Sequence, residues 1–101
     1  QAGAIIAKQP VGTAFLDKYK ARFKREPDVY APSFYDQTMF IAQAMKTANS
    51  IDPAAVAQQL RSQSYAGVVG TYGYDDKGNL KKTTVTVYTF KNGALVPLAS
   101  Y

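Results

Sequence analysis

Tyr65-Ala-Gly-Val-Val-Gly-Thr-Tyr-Gly-Tyr-Asp-Asp-Lys-Gly-Asn-Leu80 is the stretch whose reading decides the fold. It follows a helical pattern, continues as a glycine-interrupted strand over Gly67–Asp75, and closes in the tight turn Asp75-Asp76-Lys77-Gly78. Glycine in the middle of a strand marks a bend or a place where another group comes close to the backbone. Two ligand motifs are excluded by spacing. Asp75, Asp76, Gly78 and Asn79 lack the alternate oxygen ligands and closing Glu of a calcium loop, so a plain turn is expected. Gly67-Val-Val-Gly-Thr-Tyr-Gly73 has no Lys-Ser/Thr ending and leads into a strand, so it is not a phosphate loop.

Upstream of this stretch the chain reads as helices. Asp52-Pro53 starts one, with Asp52 as N-cap and Pro53 in the first turn, and Val56 and Leu60 form its apolar face to about Gln63. Before it, Phe34 to Ala48 is helical, and Phe34, Tyr35, Met39, Phe40, Ile41, Met45 and their alanine neighbours cover nearly its whole circumference. Such a helix has to be enclosed on all sides. The rest of this chain offers few elements to enclose it, which predicts missing partners. Thr13 to about Arg25 forms a further helix, with Thr13 as N-cap, Phe15, Tyr19 and Phe23 on one face, and Pro27 as the stop. Gly3–Ala7 is a short apolar run read as a buried strand.

Downstream, Thr83–Phe90 is rich in β-branched and aromatic residues and reads as a strand. Asn92-Gly93 is a type I′ turn signal, so Ala94–Leu98 should pair back against it.

Composition narrows the chemistry. With 101 residues, 47% of them apolar or aromatic, the chain has the size of one small domain with a modest core. Cysteine and histidine are both absent. That removes disulfides, thiolate chemistry and the commonest general base and metal ligand. Ser33, Ser50, Ser62, Ser64 and Ser100 therefore lack a histidine partner, and there is no Gly-x-Ser-x-Gly elbow. The carboxylates Asp17, Glu26, Asp28, Asp36, Asp52, Asp75 and Asp76 are assigned mainly to capping and solvation, since no spacing aims two of them at one point. The expectation is no enzyme activity, no metal and no cofactor.

The net charge is +5, and Lys18, Lys20, Arg22, Lys24 and Arg25 crowd one helix. A solvated polar face accounts for them; the alternative is a basic α/β module binding nucleic acid or anionic membrane through Lys18–Arg25. No run approaches the roughly 18 apolar residues of a membrane span. There is no initiating Met and no signal peptide, and the sequence reads as entered partway through a protein. Tyr30, in Asp28-Val-Tyr-Ala-Pro-Ser33, sits in a loop opening onto a helix N-terminus. An aromatic hydroxyl there is suited to a ligand cleft, offering an apolar wall and one hydrogen bond.

In order, Phe15-Leu-Asp-Lys-Tyr-Lys-Ala-Arg-Phe23, Glu26-Pro-Asp-Val-Tyr-Ala-Pro32, Phe34-Tyr-Asp36, Ala42-Gln-Ala-Met-Lys-Thr-Ala48, Ser50-Ile-Asp-Pro53, Tyr65-Ala-Gly-Val-Val-Gly70 and Tyr74-Asp-Asp-Lys-Gly-Asn79 form a pattern. It resembles the C-terminal part of a periplasmic substrate-binding protein of the branched-chain amino-acid ABC transporter type. The resemblance implies a type I periplasmic binding α/β fold with two lobes that close on a small ligand, here as about three helices followed by strands ending in a β-hairpin. It implies that residues 1–82 belong to the first lobe and that residues 83–101 cross the hinge, near Thr83–Val87, and add a hairpin to the second. A periplasmic or lipid-anchored protein that captures amino acids or similar small carboxylates for an ABC permease follows, present as a C-terminal fragment. Of the family's ligand contacts, the aromatic before the enclosed helix maps onto Tyr30; those for the ammonium and carboxylate lie upstream. An isolated fragment of this kind is expected to bind ligand weakly or not at all, and to oligomerise or exchange elements.

Overall fold

The computed structural model describes residues 5–101. In chain order it contains a 3₁₀ turn at Ile6–Lys8, then α1 Pro10–Phe23, α2 Ala31–Ala48, α3 Pro53–Ser62, β1 Ser64–Ala66, β2 Thr71–Gly73, β3 Thr86–Lys91 and β4 Ala94–Ser100. The strands form two separate antiparallel hairpins, β1–β2 and β3–β4.

Of the expected strand at Gly3–Ala7, the part from Ile5 to Ala7 does not form a strand. Gly3 and Ala4 lie outside the described residues, and Ile6–Lys8 closes a 3₁₀ turn through Lys8 N to Ile5 O and Gln9 N to Ile6 O, both 3.1 Å. Apolar character alone does not make a strand without an edge to pair with, and here the run feeds directly into a helix. That helix starts at Pro10 rather than Thr13. Pro10 occupies the first turn, where its missing N–H costs nothing, and Thr13 instead donates its hydroxyl to Gln9 O at 3.2 Å from inside the helix. At the far end α1 stops at Phe23 because Lys24 turns left-handed (φ 57°), ahead of Pro27. Its aromatic face is as expected: Phe15, Tyr19 and Phe23 meet in sequence as tilted ring pairs at centroid distances of 5.9 and 4.7 Å.

α2 begins three residues earlier than Phe34, because Asp28 caps it from outside. Its Oδ1 accepts from Tyr30 N at 3.0 Å and Ala31 N at 2.8 Å, satisfying two of the amides that a helix start leaves open. The buried residues of α2 are Pro32, Asp36, Phe40 and Ala44, one stripe at a spacing of four. Phe40 is fully buried, between Tyr65 at 5.6 Å and Tyr74 at 5.9 Å, with both ring pairs nearly parallel. α3 packs beside α2, started by Asp52, whose Oδ2 accepts from Ala55 N at 3.1 Å, and by Pro53.

Much of the apolar surface of α2 is left open: Phe34 is 70% exposed, and Tyr35, Met39, Ile41 and Met45 are exposed too. Area gives the scale. The accessible surface is 7299 Å², whereas a compact 11.0 kDa protein exposes about 5,600 Å². The radius of gyration, 15.4 Å, likewise exceeds the roughly 13 Å of a compact chain of this length. A helix apolar nearly all round is fully covered along one stripe only.

The expected Gly67–Asp75 strand is interrupted. Ser64–Ala66 pairs with Thr71–Gly73, and Gly67-Val-Val-Gly70 is the turn between them, closed by Gly67 N to Gly70 O at 2.8 Å. Asp75–Asn79 is the plain turn that its composition implies, with Gly78 at φ 84° and Asp75 Oδ1 accepting from Lys77 N (2.9 Å) and Asn79 N (2.8 Å). The last hairpin runs two residues beyond the expected Leu98, turning at Asn92 (φ 50°) and Gly93 (φ 76°). A bulge between Val87 and Tyr88 accommodates Pro97, which lies opposite Tyr88. β3 and β4 pack on each other and on no helix to a comparable extent.

Candidate functional site

Tyr30 stands at the N-cap of α2 with 68% of its surface exposed, and its amide is tied to Asp28. Tyr30 lines neither of the two cavities beside α2; three and seven residues on, Ser33 and Gln37 lie on the same side of the helix. These two form one wall of a cavity of about 430 Å³, within the size range of small-molecule pockets. The opposite wall is Val69–Tyr72, and the segment Leu80 to Thr84 closes it. The lining is mixed: apolar at Val69 and Leu80, hydroxylated at Ser33, Thr71, Thr83 and Thr84, and cationic at Lys82. Tyr74 donates its hydroxyl to Gln37 Oε1 at 2.7 Å and so fixes that side chain.

Asp36, beside this stripe, is fully buried. Its Oδ1 accepts from Val68 N at 2.8 Å, and its Oδ2 from Val69 N at 2.9 Å and from the Tyr72 hydroxyl at 3.1 Å. The ion pair found among the described residues, Lys20 with Glu26 at 2.6 Å, is elsewhere. Asp36 is thus solvated by dipoles, and three donors offset the cost of burying a carboxylate. Tyr72 responds to this environment. Burial, and secondly the Asp36 carboxylate, push its pKa well above the usual tyrosine range.

A second cavity, about 410 Å³, opens between α1 and α2, walled by Phe15, Tyr19, Phe23, Tyr35 and Tyr65 with Lys18 and Arg22 on its sides. Phe15 against Tyr35, at 5.2 Å, links the two helices across it. Two of the cations of the Lys18–Arg25 cluster therefore border an aromatic groove, and Lys20 is engaged with Glu26.

Residues 6–94 match the periplasmic binding protein family. The chain belongs to that family. Among its periplasmic binding relatives is a leucine-, isoleucine-, valine-, threonine- and alanine-binding protein of Pseudomonas aeruginosa, 30% identical over 87 residues, which are 86% of this chain and 23% of that protein. A Leu/Ile/Val-binding protein homolog of Brucella abortus is 34% identical over 70 residues, 68% of this chain and 19% of the relative. Among solved structures, a leucine-binding protein of Thermotoga maritima superposes with a TM-score of 0.78 at 28% identity, over 93% of this chain and 27% of that one. An ABC transporter substrate-binding protein of Desulfitobacterium hafniense, in complex with Leu, has the same fold, with a TM-score of 0.77. The chain spans about a quarter of the length of these relatives. The type I periplasmic binding α/β fold expected from the sequence motifs is the fold found, with three helices followed by two small antiparallel hairpins.

Asp36 is an exception among the carboxylates, which the sequence assigns mainly to capping and solvation. One signal was available: Asp36, Phe40 and Ala44 recur at i, i+4 and i+8, so a carboxylate stood in line with the residues most certain to be buried. Its partners, 32 to 36 residues away, left no mark on the local sequence.

Proposed function

We propose that this chain is part of the ligand-binding component of an ABC importer for amino acids or similar small carboxylates. What carries the reading is the family match over residues 6–94, together with relatives whose names record the binding of leucine, isoleucine and valine. Tyr30 supplies an aromatic wall of the ligand cleft, and the Ser33–Gln37 stripe extends that wall. Residues 1–82 belong to the first lobe. Thr83–Val87 crosses to the second, which the terminal hairpin joins; its lack of substantial packing on α1–α3 supports this division. Closure of the two lobes sequesters the ligand, and an ABC permease receives the closed form. The work is capture without bond chemistry, in the periplasm, by a free or lipid-anchored protein. Among the described residues no helix is long and apolar enough to cross a membrane. By itself the chain binds ligand weakly or not at all, and it covers its bare α2 surface by oligomerising or exchanging elements. Binding of nucleic acid or anionic membrane through Lys18–Arg25 gains no support from the relatives.

The test is calorimetry on a binding protein carrying this segment, titrated with leucine, isoleucine and valine. Tyr30→Ala is expected to weaken binding by about 1–3 kcal/mol, the worth of an aromatic wall. Unchanged affinity removes Tyr30 from the cleft.

A further inference from the structure

The cavity lined by Ser33 and Gln37 has two walls from different parts of the chain, and Asp36 is where they are joined. Its neighbours on α2, Ser33 and Gln37, form one wall; Val69 to Tyr72 form the other. The Asp36 carboxylate grips that second wall near both ends, through Val68 N and Val69 N at one end and the Tyr72 hydroxyl at the other. Two adjacent backbone amides converging on two oxygens of one carboxylate fix direction as well as distance. The grip needs the absence of a side chain at Gly67, where a Cβ would lie 2.5 Å from Asp36 Cγ.

We infer that Asp36 is a positioning residue for ligand capture: by clamping Val69–Tyr72 to α2 it presets the shape of the cavity lined by Ser33 and Gln37. The inference rests on the ligand-binding reading above. Asp36 touches no ligand. It acts by preorganisation, sparing the ligand the cost of ordering the turn when it binds. Asparagine in its place keeps the volume but turns an amide donor toward amides or a hydroxyl that also donate, so the grip loosens.

The experiment uses a binding protein carrying this segment, with leucine as the probe in calorimetry. The folded fraction is measured separately, and each Kd is corrected for it. Asp36→Asn is expected to raise the corrected Kd about tenfold or more, and Tyr72→Phe, which removes one of three bonds, by less. Amide exchange at Val68 and Val69 should quicken in Asp36→Asn. A merely structural Asp36 lowers the unfolding midpoint and leaves the corrected Kd unchanged, and that result overturns the inference. If Asp36→Asn does not fold, Tyr72→Phe decides on the same criterion. A wild-type protein silent toward leucine, isoleucine and valine instead overturns the ligand reading, and the clamp is then judged by the exchange of the two amides alone.

Discussion

Gly67→Ala tests the geometry around Asp36 most directly. The added Cβ would lie 2.5 Å from Asp36 Cγ and Oδ2 and 2.6 Å from Oδ1, against an ordinary contact of at least 3.4 Å. The carboxylate has no free end to swing aside, because α2 holds it from one side and three hydrogen bonds of 2.8, 2.9 and 3.1 Å hold it from the other. A retreat of about 1 Å takes these bonds beyond hydrogen-bonding distance. Forced overpacking costs about 1–3 kcal/mol, and each hydrogen bond lost to a charged group adds about 1.5–3 kcal/mol. If one bond breaks and the rest of the site relaxes, the loss is about 3 kcal/mol, a large share of the stability of a small domain. Gly70, at the other end of the same turn, is the control. Its Cβ would meet nothing within 4 Å, and its φ is not positive, so Gly70→Ala should stay within about 0.5 kcal/mol of wild type. Urea unfolding followed by far-UV circular dichroism measures both. A Gly67→Ala loss below about 0.5 kcal/mol, or equal losses at the two glycines, would refute the close approach of Asp36.

Two further outcomes concern charge and capping. Tyr72 has a folded-state pKa raised above its unfolded value, so the stability it contributes is complete below about pH 10. It is lost as pH rises through the folded value, because the unfolded chain gives up the proton first. Tyr72→Phe should therefore flatten the alkaline fall in stability above about pH 10, measured as urea midpoints across that range; an unchanged slope argues against Tyr72 as its source. Asp52→Ala removes the acceptor for Ala55 N and should cost about 1 kcal/mol in the same unfolding experiment, with no effect on ligand affinity because α3 borders neither cavity.

What the sequence alone determined is what neighbouring residues decide between themselves. Asp52-Pro53 starts α3, Asp75–Asn79 closes on its own carboxylate, and Asn92-Gly93 turns the last hairpin with two positive-φ residues, each a matter of residues no more than four apart. The aromatic stripe of α1 was legible for the same reason, and the order of such pieces pointed to the family. Tertiary structure decided the rest. Gly67 and Gly70 announced a bend or a close approach, and both occur. Only the fold shows that the approaching group is Asp36, from 31 positions upstream, and that the strand breaks into a hairpin to receive it. The apolar circumference of α2 called for enclosure; the fold supplies it along the Pro32–Ala44 stripe and leaves Phe34, Met39, Ile41 and Met45 exposed. A short apolar run such as Ile5–Ala7 fits a strand or a turn equally well until an edge is present to pair with it. Burial and hydrogen bonding of a carboxylate depend on which distant donors converge on it, and that convergence is a property of the folded chain, not of its local sequence.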